Sequence, residues 1–220
     1  MTRWMWLGWA IVAGMFVTAI LCANVWIDRF PQRLPTHWGI TGEPDSFASR
    51  DQTFVVFYLM PTIVARVLLL GTVLPWLSPQ QFKVDSFRRT YDYVFFLITA
   101  MFGVLNAVIL RSYVTEQLEV KWFVASFFLF FIFLGNLLGK VRKNFWMGVR
   151  TPWTLASDVV WEKTHRLAAW LFVVAGVVGF AASLVGVPPQ WCFFGVIAAA
   201  LFPVFYSLVI YKRLERSGQL

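Results

Sequence analysis

The sequence has little charge. Only 14% of its 220 residues are Asp, Glu, Lys or Arg, whereas 59% are apolar. A soluble domain typically has about 25% charged residues. A soluble chain of this length has too small an interior to hide so much apolar side chain, so the composition excludes an ordinary soluble globular domain. Lipid is the natural solvent for the excess.

Cysteine and histidine are also scarce, with two residues of each. Cys22 and Cys192 lie in apolar runs, where they are expected to be packed or lipid-facing thiols rather than a disulfide. No CxxC or Cys/His cluster is present, so the sequence predicts no metal site and no cofactor. The HExxH, GxSxG, Ser/Lys and paired intramembrane Asp arrangements are missing too, which predicts that the protein is not an enzyme.

What the chain does have is long apolar runs. A helical span needs roughly 20 mostly apolar residues. This predicts an all-α, polytopic integral membrane protein, with a first run too long for the apolar core of a cleavable signal peptide. The six predicted spans are residues 4–27, 53–77, 92–110, 121–139, 166–187 and 190–211.

The net charge of +8 invites a nucleic-acid interpretation. The basic residues punctuate apolar runs instead of clustering on a polar face, which argues against direct nucleic-acid binding. With the N-terminus inside, 13 of the 19 Lys and Arg residues lie on the cytoplasmic side and five on the other. The positive-inside rule therefore predicts cytoplasmic N- and C-termini, residues 140–165 inside and residues 28–52 outside a bacterial cytoplasmic membrane.

The outer loop, residues 28–52, is rich in Pro and Gly, which disfavour a helix or a central strand and predict a compact, turn-rich cap. Its centre is either a recognition site or a simple connector with Trp38 resting in the membrane interface. A metal site is not expected, because His37 and His165 are predicted on opposite sides of the membrane. The candidate recognition residues are His37, Trp38, Gly42, Pro44 and Asp45.

The inner loop, residues 140–166, combines basic residues and Trp with backbone-shaping residues. Gly148 permits a turn, Pro152 disfavours a helical Thr151, and Ser157 or Thr154 is placed to cap a helix that begins near residue 158 and continues into the fifth span. The loop is either a headgroup-anchored connector or a specific motif, and His165 is either a hydrogen-bonded structural residue or a proton-active one. The candidate residues are Asn144, Trp146, Gly148, Arg150, Thr151, Pro152, Trp153, Thr154, Trp161, Thr164, His165 and Arg166.

These motifs resemble a known family. The inner loop carries NFWMGVRTPWTL at 144–155 and VWEKTHR at 160–166, which closely resemble the signature of the SdpI-type bacterial immunity proteins. The outer stretch LPTHWGITGEPD at 34–45 resembles a small domain of unknown function that commonly precedes that signature. The resemblance suggests a division into an N-terminal two-helix unit, residues 1–77, and an SdpI-like four-helix region, residues 78–220.

The resemblance implies a function in immunity. A well-understood family member protects its producer from a secreted hydrophobic peptide toxin, and it is thought to hold a transcriptional repressor at the membrane. The implied partners are therefore the toxin on the outer side, a cytoplasmic winged-helix repressor, and the lipid bilayer.

Arg66 stands apart, inside the second predicted span. A charge near the bilayer centre costs at least about 2.5–3.5 kcal/mol on insertion scales. Arg66 is therefore a structural residue held by charge-assisted bonds, a ligand contact, or a side chain that extends to the headgroups. An intramembrane charge also suggests the alternative function, a small membrane transporter.

Overall fold

The computed structural model describes residues 1–39, 43–115 and 117–220, and it is largely helical. Six helical segments in this part of the chain are long and apolar enough to cross a membrane, which confirms the all-α, multi-pass prediction. The helices are α1 Arg3–Asn24, α2 Leu59–Val73, α3 Arg88–Thr115, α4 Val120–Leu138, α5 Pro152–Ala156, α6 Asp158–Leu184 and α7 Pro189–Arg216. A π-helical turn, Phe54–Tyr58, leads directly into α2.

The fifth span begins earlier than the apolar run alone predicts. Helix α6 starts at Asp158, and the Ser157 hydroxyl accepts a hydrogen bond from the Val160 amide (3.4 Å). One continuous helix therefore joins the end of the inner loop to the membrane span, as the capping pattern indicated. The short helix α5 was not predicted. It forms because Thr151, extended before Pro152, caps it in a reciprocal box with Thr154.

Helices α4 and α6 pack very closely because glycines line their contact. A Cβ atom on Gly176 would lie 2.9 Å from the Ile132 backbone nitrogen, and one on Gly135 would lie 2.8 Å from the Val173 nitrogen. Small residues that let backbones approach are typical of helix contacts in membranes. The outward faces of α6 and α7 carry exposed apolar side chains such as Val178 and Phe205. Lipid is a suitable solvent for these faces, and water is not.

The predicted cap contains a β-hairpin. Strands β1 (Arg33–Trp38) and β2 (Pro44–Ser49) pair antiparallel, and both are edge strands, so they tolerate Pro35 and Pro44. Leu34 and Ala48 are buried against the ends of α1 and α3 and against the π-helical turn, with Phe57 and Tyr113 in the same cluster. Gly42, one of the predicted recognition residues, lies outside the described residues.

The two candidate regions lie at opposite ends of the helix bundle. The hairpin connects α1 to α2, and the 139–157 segment connects α4 to α6, so an odd number of crossings separates them. We refer to these as the hairpin end and the motif end. The N-terminus, the 74–87 segment and the C-terminus share the motif end.

Candidate functional site

At the hairpin end, His37 and Asp45 form an exposed pair. The His37 Nδ1 and Asp45 Oδ1 atoms are 2.6 Å apart, and the two side chains are 69% and 53% exposed. The pair joins β1 to β2 and faces solvent, where it is free to meet a ligand. Trp38 is half-buried and packs against the cluster beneath the hairpin. Pro44, at the start of β2, pairs with Trp38.

Arg50 fixes the hairpin to the chain that precedes it. Its guanidinium donates hydrogen bonds to the carbonyl oxygens of Ile27 and Phe30 (3.1 and 3.0 Å) and to an Asp28 carboxylate oxygen (3.1 Å). The cap is thus a folded unit held by side-chain hydrogen bonds rather than a simple connector. Among the described residues no group of three or more His, Cys, Asp and Glu side chains is placed to hold a metal ion.

At the motif end, Asn144 organises the first turn of the inner loop. Its Oδ1 atom accepts hydrogen bonds from the amides of Trp146 and Met147 (2.7 and 2.8 Å), and its Nδ2 donates to the Arg142 and Met147 carbonyls (2.9 and 3.0 Å). Asn144 is completely buried. A buried amide with four hydrogen bonds has both its donor and acceptor groups satisfied. The Asn144 side chain therefore stabilises the conformation of this loop.

Gly148 and His165 fit together in the next turn. Gly148 has φ +108°, and a Cβ atom there would lie 2.3 Å from His165 Nε2. The Val149 amide donates to that same nitrogen (3.0 Å), while His165 Nδ1 lies 2.9 Å from the Trp161 carbonyl oxygen. A neutral imidazole with its proton on Nδ1 satisfies both bonds. The geometry therefore supports the structural interpretation of His165.

A hydroxyl network closes the motif onto the last helix. The Thr154 hydroxyl donates to the Val149 carbonyl (2.8 Å), and the Thr151 hydroxyl contacts Ser207 Oγ of α7 (2.9 Å). Trp153, at the second position of α5, packs beside Val160 and the C-terminal part of α7. Pro152 is exposed. Thr164 is buried, and its hydroxyl has no partner within the described chain.

Two tryptophan side chains connect the motif to other segments. The Trp146 indole donates to Ser78 Oγ, just after α2 (2.6 Å), and the Trp161 indole donates to the Val141 carbonyl (2.8 Å). Trp161 also stacks on His165, with the ring centres 4.0 Å apart. Below, we use "motif core" for Asn144, Gly148, Thr151, Thr154, Trp161 and His165.

The cations of the motif remain on the surface. Arg150 is exposed and lies over the Phe145 ring (5.5 Å), and Arg166 is exposed and pairs with Glu162 (2.9 Å). A cleft of about 470 Å³ opens nearby and includes Arg142 and Glu162 in its lining. The part of the motif available to a partner is thus a charged surface around a buried, hydrogen-bonded core.

Arg66 lies on an exposed face of α2 and makes no ion pair or hydrogen bond to another described residue. The described residues therefore give no support to intramolecular charge-assisted bonds at Arg66, and its role stays a prediction. The charged group that helix packing does bury is Asp92, which is fully buried between the Arg88 guanidinium and the Thr2 amide (both 2.8 Å). This pair has a signal in the sequence, because Arg88 and Asp92 are four residues apart on one helix.

Comparison with known proteins supports the family resemblance on both regions. Residues 140–207 match the SdpI/YfhL protein family, and residues 14–64 match a domain of unknown function, DUF1648. The first match ends at Ser207, the residue that contacts Thr151. The resemblance drawn from the two motifs is confirmed.

Two relatives align with most of their own length. The chain is 26% identical to "Immunity protein SdpI" of Bacillus subtilis (strain 168) over 168 residues, 76% of this chain and 75% of that protein. It is 24% identical to an uncharacterized protein of Archaeoglobus fulgidus over 146 residues, 53% of this chain and 80% of that protein. No solved structure matches the chain. Six apolar helices and this similarity identify a multi-pass protein of a bacterial membrane.

Proposed function

Because the chain carries an SdpI-family region preceded by a DUF1648 region, we propose that it is a membrane immunity protein. It protects the cell against a secreted hydrophobic peptide toxin that arrives at the hairpin end. The similarity to a protein named for immunity carries this proposal. The layout supports it, since a folded cap and a folded motif occupy opposite ends of one bundle.

The motif end holds a cytoplasmic transcriptional repressor of the winged-helix class when toxin is bound. Five residues of the motif core, Asn144, Thr151, Thr154, Trp161 and His165, are unsuited to direct contact because they are buried and hydrogen-bonded. Arg150, Phe145 and Arg166 are exposed and form the contact surface. Arg and aromatic side chains are enriched at binding hot spots. The motif core therefore shapes a surface, and the exposed cations recognise the partner.

The proposed role is non-catalytic and requires no cofactor. The nearest alternative is transport, for which Arg66 was the main indication. Arg66 faces outward on α2 and does not line the cleft described above. An outward-facing cation is suited to the lipid headgroups and gives little support to a substrate pathway.

The orientation is tested first, because the proposal requires the hairpin to face outward. We expect Ser46→Cys to react with a membrane-impermeant thiol reagent in intact cells, and Ala156→Cys to react only after permeabilisation. Both positions are exposed, and the background has Cys22 and Cys192 replaced by Ala. The reverse labelling pattern would invert the topology and remove the outward-facing cap.

The function is tested by two measurements on the same cells: survival under the cognate toxin, and membrane recruitment of a tagged repressor. We expect His37→Ala and Asp45→Ala to weaken both, since toxin binding comes first. Arg150→Gln and Arg166→Gln are expected to abolish recruitment and leave protection. Arg216→Gln, an exposed cation at the same end, is the matched control.

Three outcomes of this experiment would count against the proposal. If the Arg150 and Arg166 variants lose protection together with recruitment, the two-ended receptor is wrong. If Arg216→Gln has the same effect, the recruitment reflects general positive charge rather than the motif. If the wild-type protein protects against no peptide toxin, immunity itself is refuted.

A further inference from the structure

A cleft lies beneath the hairpin, between α2 and α3, and most of its lining lies outside the sequence motifs. It has a volume of about 200 Å³ and is lined mainly by apolar side chains from the π-helical turn and α2, including Val55, Leu59 and Ile63. Trp38 and Thr36 of β1 cover its hairpin side. The cleft therefore meets the membrane on one side and the folded cap on the other.

Asn106 gives the cleft a specific polar group. This α3 residue is only 8% exposed and lines the cleft, yet its amide makes no hydrogen bond to another described residue. It lies nine residues before the end of α3 at Thr115, or about 14 Å along the helix. An amide without a partner costs free energy in an apolar surrounding. Such a group is expected to be satisfied by a ligand.

The wall of the cleft is irregular where a ligand would touch it. Phe54–Tyr58 form a π-helical turn, a rare conformation that is frequent at functional sites. Two of the cleft residues, Val55 and Val56, belong to this turn. The π-helical turn and Asn106 thus contribute apolar side chains and an amide group to the same cleft.

We propose that this cleft binds an apolar peptide segment inserted in the membrane, and that Asn106 pairs with a polar group of that segment. This inference rests on the proposed function and assigns the place where the toxin is recognised. An acyl chain fills an apolar cleft equally well but offers the Asn106 amide neither a donor nor an acceptor. A peptide supplies both, together with apolar side chains for α2.

The test uses the full-length protein in lipid vesicles and two synthetic probes. Each is a Leu/Ala peptide of about 20 residues with one photoactivatable Leu. One probe has a central Asn, and the matched probe has Leu there. Crosslinking is compared between the wild type and Asn106→Leu. Val177→Trp, on the exposed face of α6, is the control for a changed lipid-facing surface. Ile63→Trp, which fills the cleft, is the second cleft variant.

We expect the Asn probe to label the residues of the cleft in the wild-type protein. Asn106→Leu should reduce that labelling about threefold to tenfold, and reduce labelling by the Leu probe much less, because interhelical polar bonds in membranes contribute modestly. Ile63→Trp should reduce labelling by both probes, and Val177→Trp should change neither. Equal effects of Asn106→Leu on the two probes would overturn the pairing.

A phospholipid with a photoactivatable acyl chain tests whether an acyl chain, rather than a peptide, occupies the cleft. If this lipid labels the cleft of the wild type as strongly as the Asn probe does, the site is an acyl-chain groove and the proposal is wrong. Survival under toxin separates the two levels of the argument. If Asn106→Leu and Ile63→Trp protect as strongly as the wild type, the cleft does not recognise the toxin, and the proposed immunity function still stands. Failure of the wild type to protect would remove the function itself.

Discussion

The contact between Gly148 and His165 allows a quantitative test of the motif core. In Gly148→Ala the new methyl group meets His165 Nε2 at 2.3 Å, and the backbone is held at φ +108°, where L-residues are strained. The imidazole cannot easily move away from this methyl group, because it stacks on Trp161 and its Nδ1 is hydrogen-bonded to the Trp161 carbonyl. We therefore expect the hydrogen bond from the Val149 amide to break.

The expected destabilisation has two parts. An L-residue in the left-handed region costs about 1–2 kcal/mol. Losing a buried hydrogen bond and leaving its partner unsatisfied costs about 1–3 kcal/mol more. Gly186 provides the control, since it has φ +82° and a Cβ atom there would meet nothing within 4 Å. Gly186→Ala should show the conformational part alone, and Gly148→Ala should exceed it by about 1–3 kcal/mol.

The assay is the free energy of unfolding in mixed micelles, followed by tryptophan fluorescence. A double-mutant cycle with His165→Ala isolates the contact. In that background the methyl group of Gly148→Ala meets no imidazole, so its cost should fall to about that of Gly186→Ala. If Gly148→Ala destabilises no more than Gly186→Ala, or costs the same with and without His165, the close fit of these two residues does not stabilise the motif.

Three further predictions use the same unfolding measurement. Asn144→Ala removes four buried hydrogen bonds and should cost about 2–5 kcal/mol; a loss below 1 kcal/mol would show that the loop folds without them. Gly179→Ala places a methyl group 2.2 Å from the Phe128 ring and should cost about 1–3 kcal/mol, whereas Gly195→Ala, with its nearest contact at 3.8 Å, should be nearly neutral. Arg66→Leu should leave stability within about 0.5 kcal/mol, since Arg66 has no described partner; a large loss would reveal a contact made only in the membrane.

Apolar run length and cap chemistry predicted the helices well. Six spans, the Ser157 cap and the extended Thr151 before Pro152 are local properties, and the structure contains each of them. The β-hairpin was harder to predict, because Pro-rich edge strands have no clear alternation of apolar and polar residues. Which charged residues are buried could not be predicted from the sequence either. Asp92 and Arg66 are both charged residues in apolar runs, and only helix packing distinguishes the buried one from the exposed one.

The motif itself shows the same limit of sequence reasoning. Asn144, His165 and Arg150 all belong to one recognisable pattern, which suggests one shared role. In the structure, Asn144 and His165 satisfy backbone groups of the loop, and Arg150 faces outward. Asn144 bonds only within three residues, whereas His165 accepts from the Val149 amide 16 residues away, and spacing along the chain does not reveal that tertiary contact. The motif thus combines buried residues that fix the conformation of the loop with exposed residues that make up its surface.

Helix α2 is the element best placed to connect the two ends of the protein. Its first turns line the cleft that contains Asn106. Near its other end, the Gly71 carbonyl accepts a hydrogen bond from the buried Tyr91 hydroxyl (3.0 Å), and Ser78 just beyond accepts the Trp146 indole (2.6 Å). A ligand that shifts α2 therefore acts directly on the side chain that attaches the motif. Coupling requires two arrangements of α2 for which the ligand has unequal affinity, and the π-helical turn is the irregular backbone at which those arrangements can differ.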